Sequence, residues 1–241
     1  MNPWFITTIS LLVILLALGL RLPTWLKRAR KQGEDDFLKF LLQNGFHQRV
    51  TDFEAMNAHA QQGGITFVGD SITQEFPLHE YFPKQLIYNR GIGGDTTVGL
   101  NTRLEPSIFA LNPKLVVLQI GTNDFSVLKL EAEQTIINMT HIVSNIRKKL
   151  PTVPIVLISV YPVHEATLNL GQKPENYRSN ARIRKINDGL SSIKGVTYVN
   201  VFNLLLDQQG QLNMKFSRDG LHLNAKGYEV VASAIKSYLN S

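Results

Sequence analysis

Five short strand-like segments, each followed by a segment of helical pattern and the clearest of them near-continuous apolar runs, limit this chain more than any other feature. They fall at residues 65–70, 86–92, 114–121, 154–161 and 196–202, with "KLVVLQIG" and "PIVLISVYP" the clearest. A strand with one wet face alternates apolar and polar residues. A continuous apolar strand needs cover on both faces, which is the condition of a parallel sheet. The segments 71–82 (helix or turn), 97–111, 131–149, 176–193 and 224–239 are spaced to supply that cover. The expected fold class is therefore α/β, three layers built on a five-stranded parallel sheet with helices on both faces. With 241 residues, 44% of them hydrophobic, the chain is long enough for one such domain and an appendage.

The appendage is N-terminal. "WFITTISLLVILLALGL", residues 4–20, carries no charge and is followed by Arg21, Lys27, Arg28, Arg30 and Lys31 before the first acid, Glu34. From Trp4 to Trp25 a helix would span roughly 31–33 Å, close to the hydrocarbon thickness of a bilayer. The expectation is a membrane anchor with its basic flank over 1–31, giving a single-pass protein of the cell membrane. The basic flank favours a cytoplasmic main domain. A cleaved signal peptide ending near Ala17 and Gly19, with an exported or secreted domain, and a buried core helix are the alternatives. Residues 32–63 read as a helical stalk or cap, one helix ending near Gly45 and a second closed by Gly63 and Gly64; the main domain is expected over 64–241.

Charge narrows the partners. The chain has 25 Lys and Arg against 19 Asp and Glu; setting aside the five basic residues of the flank leaves 20 against 19. The folded part is thus nearly neutral and lacks the basic stripe of a nucleic-acid binder. There is no cysteine, which excludes disulfides, thiolate metal sites and a cysteine nucleophile.

In a sheet of this kind ligands sit beyond the carboxyl ends of the strands, and four polar or glycine-rich stretches fall there or in the loop entering the last helix. "GDSI" (69–72) sets Asp70 and Ser71 where a strand turns into a helix; either could cap that helix, and Ser71 could equally be a nucleophile. "NRGIGGDTT" (89–97) has glycines at 91, 93 and 94, whose bare backbone can turn N–H groups toward an anion. Its spacing is not that of a dinucleotide loop, and Asp95 could cap the next helix. "GTND" (121–124) ends a strand with Asn123, an amide donor suited to an oxyanion or a cap. "DGLHLN" (219–224) puts Asp219 three residues before His222, so that the carboxylate can orient the ring. The other histidines, His47, His59, His79 and His141, read as surface or packing residues, and His164 as a pocket-lining one.

Taken in order, the four stretches resemble the four blocks of the GDSL-type, or SGNH, hydrolase superfamily, from about Gly64 to the C-terminus. "GIGGDTT" and "GTND" are most similar to the platelet-activating-factor acetylhydrolase Ib catalytic-subunit group. The resemblance implies a flavodoxin-like SGNH fold and a serine esterase working without metal or cofactor. It implies that Ser71 is the nucleophile, His222 the base and Asp219 its partner, and that the Ser71 amide, Gly94 and Asn123 form the oxyanion hole. Asp70 is expected to be structural. The implied substrate is a small acyl ester, of a lipid or an acylated sugar. Acyl transfer to or from a glycan, or a catalytically inactive membrane-tethered binding module, are the rival functions.

Overall fold

The computed structural model describes residues 3–168, 170 and 178–240, with residues 3, 5–22, 35 and 240 described by their backbone alone. Two compact units emerge, one up to Asn44 and one from Gly45 to Ser241.

The chain begins with helix α1, Pro3–Asn57. The break expected at Gly45 does not occur. Neither Gly33 nor Gly45 takes a positive φ, so each stays inside the helix as a weak helix former rather than a cap. The turn comes instead at Gly63, φ 80°, whose amide donates to the Asn112 carbonyl at 3.1 Å. The anchor expected over 4–20 falls almost wholly on residues whose side chains lie outside those described. Among the described residues no helix is long and apolar enough to cross a membrane.

The second unit contains the sheet: β1 (Ile65–Gly69), helix α2 (Ser71–Gln74), β2 (Ile87–Gly91), α3 (Thr97–Thr102), β3 (Leu115–Gln119), α4 (Thr122–Ser126), α5 (Ala132–Lys149), β4 (Ile155–Ile158), α6 (Asn180–Ser191), β5 (Thr197–Val199) and α7 (Ala225–Ile235). The strand order is β2-β1-β3-β4-β5 and every pairing is parallel. The expected five-stranded α/β architecture is what forms. Right-handed crossovers explain the layers. The step from β1 to β2 runs one way along the sheet and the later steps run the other, so α3, α5 and α6 share one face, where they pack on one another. The segment after β1 and helix α7 cover the opposite face: Phe76 stacks on Tyr228 at 4.8 Å and packs edge-on against Phe67 of β1.

Two expected helices are shorter or broken. The segment 97–111 divides after Thr102, because Arg103 leaves helical geometry (φ −117°, ψ 20°) to turn its side chain into the core. The helix expected from 176 begins at Asn180, capped by the Ser179 side chain, and residues 176 and 177 lie outside those described.

Register matters most for the site. Gly69 at the end of β1 stands beside Gly91 of β2 on one side and Gln119 of β3 on the other. Three of the four polar stretches therefore leave the sheet side by side at one edge. At the outer strand, the last turns of α1, placed by the sequence in a separate stalk, belong to the same compact unit. The ring of Phe53, 1% exposed, lies between the guanidinium groups of Arg49 and Arg90, at 4.7 and 4.8 Å. Phe53→Ala is expected to cost about 3–5 kcal/mol, the usual loss on emptying a buried aromatic site. A urea midpoint unchanged in that variant would show that these turns are not part of the domain core.

Candidate active site

The nucleophile candidate is set by a cap. Asp70 stands in extended geometry just before α2, and its Oδ1 accepts from the Ile72 amide at 2.9 Å. The capping role thus belongs to Asp70, and Ser71 is the first helical residue. Its hydroxyl is free of capping duty and lies 3.0 Å from His222 Nε2.

His222 comes from a turn held from several directions. Asp219 Oδ1 accepts from the amides of Leu221 and His222 at 2.9 and 2.7 Å, while its Oδ2 lies 2.7 Å from His222 Nδ1. The His222 carbonyl accepts from Ser217 Oγ at 2.8 Å, and the Gly220 carbonyl from the His164 amide at 2.9 Å. His164 therefore braces this turn through its backbone. Burial acts to raise the Asp219 carboxyl. The hydrogen bonds from the His222 ring and from the His222 and Leu221 amides outweigh it and hold Asp219 below the ordinary carboxylate value. An ionised Asp219 fixes the proton on Nδ1 and turns the Nε2 lone pair toward Ser71.

Three contacts bind the Ser71 helix and the segment after it to the His222 loop and α7. Tyr228 donates to the Ile72 carbonyl at 2.8 Å, Tyr81 donates to the Ala225 carbonyl at 2.7 Å, and Arg218 pairs with Glu75.

The glycine-rich loop lies beside α2. Gln74 Oε1 accepts from the Gly93 amide at 2.7 Å, and the Ile92 carbonyl accepts from the Asp95 amide at 3.1 Å. Between them Gly94, φ 75°, has an amide with no acceptor among the described residues, as does the Ser71 amide. Asp95 does not cap the next helix; Thr96 does, accepting from the Gly99 amide. Asp95 instead makes a buried pair with Arg103 at 2.7 Å, both side chains 1% exposed.

Asn123 is not a cap either. It lies in the first turn of α4, where its Nδ2 donates to the Asp95 carbonyl at 2.9 Å and its Oδ1 accepts from Arg178 at 2.9 Å. Its neighbour Asp124 accepts from the Thr97 amide at 3.1 Å and from the Thr97 hydroxyl, which stitches this block to the glycine-rich one. All the residues expected at the site, Ser71, Gly94, Asn123, Asp219 and His222, belong to this one network of loops and helix starts. Among the described residues no group of three His, Asp or Glu side chains is placed to hold a metal ion.

Residues 67–230 match the GDSL-like lipase/acylhydrolase family. The chain belongs to this family. It is accordingly a carboxylic ester hydrolase. Among curated proteins it is 26% identical over 204 residues to an N-acylneuraminate cytidylyltransferase of Escherichia coli O18:K1:H7, covering 82% of the chain but only 45% of that protein. It is 28% identical over 184 residues to platelet-activating factor acetylhydrolase IB subunit alpha1 of Rattus norvegicus, covering 73% of the chain and 74% of the relative. A solved structure described as a candidate platelet activating factor from Streptococcus pneumonia superposes with a TM-score of 0.77 at 30% identity, over 86% of this chain and 98% of that one.

Four residues that hold this arrangement together escape a reading of the sequence: Gln74, Arg103, Asp124 and Arg178. Asp124 alone had a local signal, an acid adjoining Asn123 just past a fully apolar strand. The others reach their partners across the fold.

Asp70 is the electrostatic outlier. It is fully buried, its Oδ2 has no partner among the described residues, and its pKa is pushed up to about 7. Burial is the main cause, aided by the charges of Asp95 and Asp124 and opposed by the Ile72 amide and Arg178. Asp124 moves the same way, to about 6, again chiefly through burial. A carboxyl with a raised folded-state pKa favours folding fully below its unfolded value of 3.8 and loses that contribution as pH rises toward about 7. Asp70→Asn keeps the Ile72 hydrogen bond and removes the titration. Urea unfolding at pH 5 and pH 8 is expected to show a smaller loss of stability on raising the pH in this variant than in the native chain; equal losses would exclude Asp70 as the source.

Proposed function

We propose that the protein cleaves short-chain acyl esters through a serine acyl-enzyme, with Ser71, His222 and Asp219 as its triad. The observation that carries this reading is the continuous hydrogen-bonded line from Ser71 Oγ to His222 Nε2 and from His222 Nδ1 to Asp219 Oδ2. His222 takes the hydroxyl proton as Ser71 attacks the ester carbonyl, and ionised Asp219 stabilises the imidazolium that results. The oxyanion is received by the Ser71 and Gly94 amides and by the Asn123 N–H that does not bond to Asp95. His222 then protonates the departing alcohol, and a water activated by the same ring releases the acid. The acetylhydrolase named among the relatives supports a short acyl group.

The test is hydrolysis of p-nitrophenyl esters of increasing chain length, with kcat/KM expected to fall by roughly tenfold or more from acetate to octanoate if the acyl site is short. Ser71→Ala is expected to reduce kcat by roughly 10⁴-fold with folding intact. A fluorophosphonate should label Ser71; labelling of another serine, with the alanine variant still active, would overturn the mechanism. Asn123→Ala is expected to lower kcat by roughly 10²–10³ with little change in KM, as when one oxyanion donor is lost.

A further inference from the structure

The Asn123 side chain can work as an oxyanion donor in only one of its two orientations. Its Nδ2 spends one N–H on the Asp95 carbonyl, 2.9 Å away, and the planar amide then fixes where the second N–H points. Rotating the amide by half a turn would put oxygen against the Asp95 carbonyl and present no N–H in its place. Another group must forbid that rotation.

Arg178 is built to do so. It is 8% exposed, and its guanidinium grips two adjacent residues: Nε donates to the Thr122 carbonyl at 3.2 Å and Nη2 donates to Asn123 Oδ1 at 2.9 Å. A guanidinium has donors and no acceptor. An inverted amide would set its NH₂ against those donors, leaving two buried N–H groups facing each other. The cation on Oδ1 also draws electron density from the amide, which makes the remaining N–H a stronger donor. Burial presses the Arg178 pKa below its ordinary value, while the carboxylates of Asp70 and Asp219 favour the charged form.

We propose that Arg178 is a positioning residue that locks the orientation of the Asn123 amide and thereby aims its second N–H at the reacting carbonyl oxygen. This rests on the reading of Asn123 as an oxyanion donor. Arg178 itself touches no reacting atom. Its loss should leave substrate binding nearly intact and reduce the rate of the chemical step.

The experiment is a double-substitution cycle on the full chain, with p-nitrophenyl acetate as substrate and kcat and KM read separately. Gln is the informative replacement, since its amide can meet either orientation of Asn123. Arg178→Gln is expected to lower kcat by roughly 10–100-fold with KM changed less than about threefold, a part of what losing the donor outright would cost. In the Asn123→Ala background the same substitution is expected to change kcat by less than about threefold, because there is no amide left to orient. An equal fold-loss in both backgrounds would overturn the inference while leaving Asn123 as a donor, and so would a native kcat in the single variant. An unchanged kcat in Asn123→Ala alone would instead overturn the oxyanion reading on which the inference stands. If Arg178→Gln does not fold, Arg178→Lys takes its place: a single-point donor should lower kcat several-fold, again only where Asn123 is present, and an equal loss in both backgrounds overturns the proposal.

Discussion

The carboxyl ends of β1 and β2 meet at one buried guanidinium. Arg103 donates to the Gly69 carbonyl and the Arg90 carbonyl, both at 2.9 Å, to Ser107 Oγ at 2.7 Å, and to Asp95 Oδ2 at 2.8 Å. These carbonyls lie at the carboxyl end of the sheet, where the ladder gives out; the Gly69 carbonyl also accepts from the Ile92 amide at 3.1 Å, so Arg103 fills its second lone pair. The same pair also holds Asp95 and, through the Asp95 carbonyl, the amide of Asn123. A buried ion pair adds little net stability against a well-packed apolar substitute, but removing one member leaves a charge stranded in the core. The pair is thus better understood as a device that specifies where the loops go than as a source of stability.

Around this clamp the site divides into two supported halves. Ser71 and His222 are 151 residues apart in sequence. They meet because Tyr228, Tyr81 and Arg218 fasten the region of α2 to the C-terminal loop and helix. The other half, proposed to receive the oxyanion, consists of the glycine-rich loop and the start of α4, fastened by Asp124 to Thr97 and by Asn123 to Asp95. Gln74, on the same short helix as Ser71, reaches across to the Gly93 amide. The halves therefore share contacts at the backbone positions where the oxyanion is expected, and a tolerance of a fraction of an ångström at a catalytic centre calls for such support.

How much of this was readable beforehand follows from the range of each interaction. The three inner strands could be found because double-sided burial writes itself as local apolar runs, the outer two by their place in the alternation, and the strand ends because polar residues there interrupt the apolar pattern. Ser71 and Asp70 could not be told apart as cap and hydroxyl, since both residue types cap helices and the choice depends on which side chain reaches the Ile72 amide. Asp95 as a cap stayed open for a similar reason: its partner Arg103 lies eight residues on, in a segment whose pattern reads as continuous helix. Gly45 looked like a terminator, yet a glycine ends a helix only when the chain uses its positive φ, and here it does not. Arg178 left no sequence signal, because its role depends on a residue 55 positions away.

Asp70, Asp95 and Asp124 are buried within one neighbourhood, where Arg178 acts on Asp70 and Arg103 on Asp95. Acids held this close in a medium of low polarity repel one another, which adds to the effect of burial. Asp70, lifted to about 7, keeps its proton to higher pH than Asp124, lifted to about 6. Asp70 adjoins Ser71, the proposed nucleophile. Its remaining duty, accepting the Ile72 amide through Oδ1, needs only a lone pair and survives protonation. The burial that makes Asp70 an electrostatic outlier thus favours its neutral form while retaining the cap that starts α2.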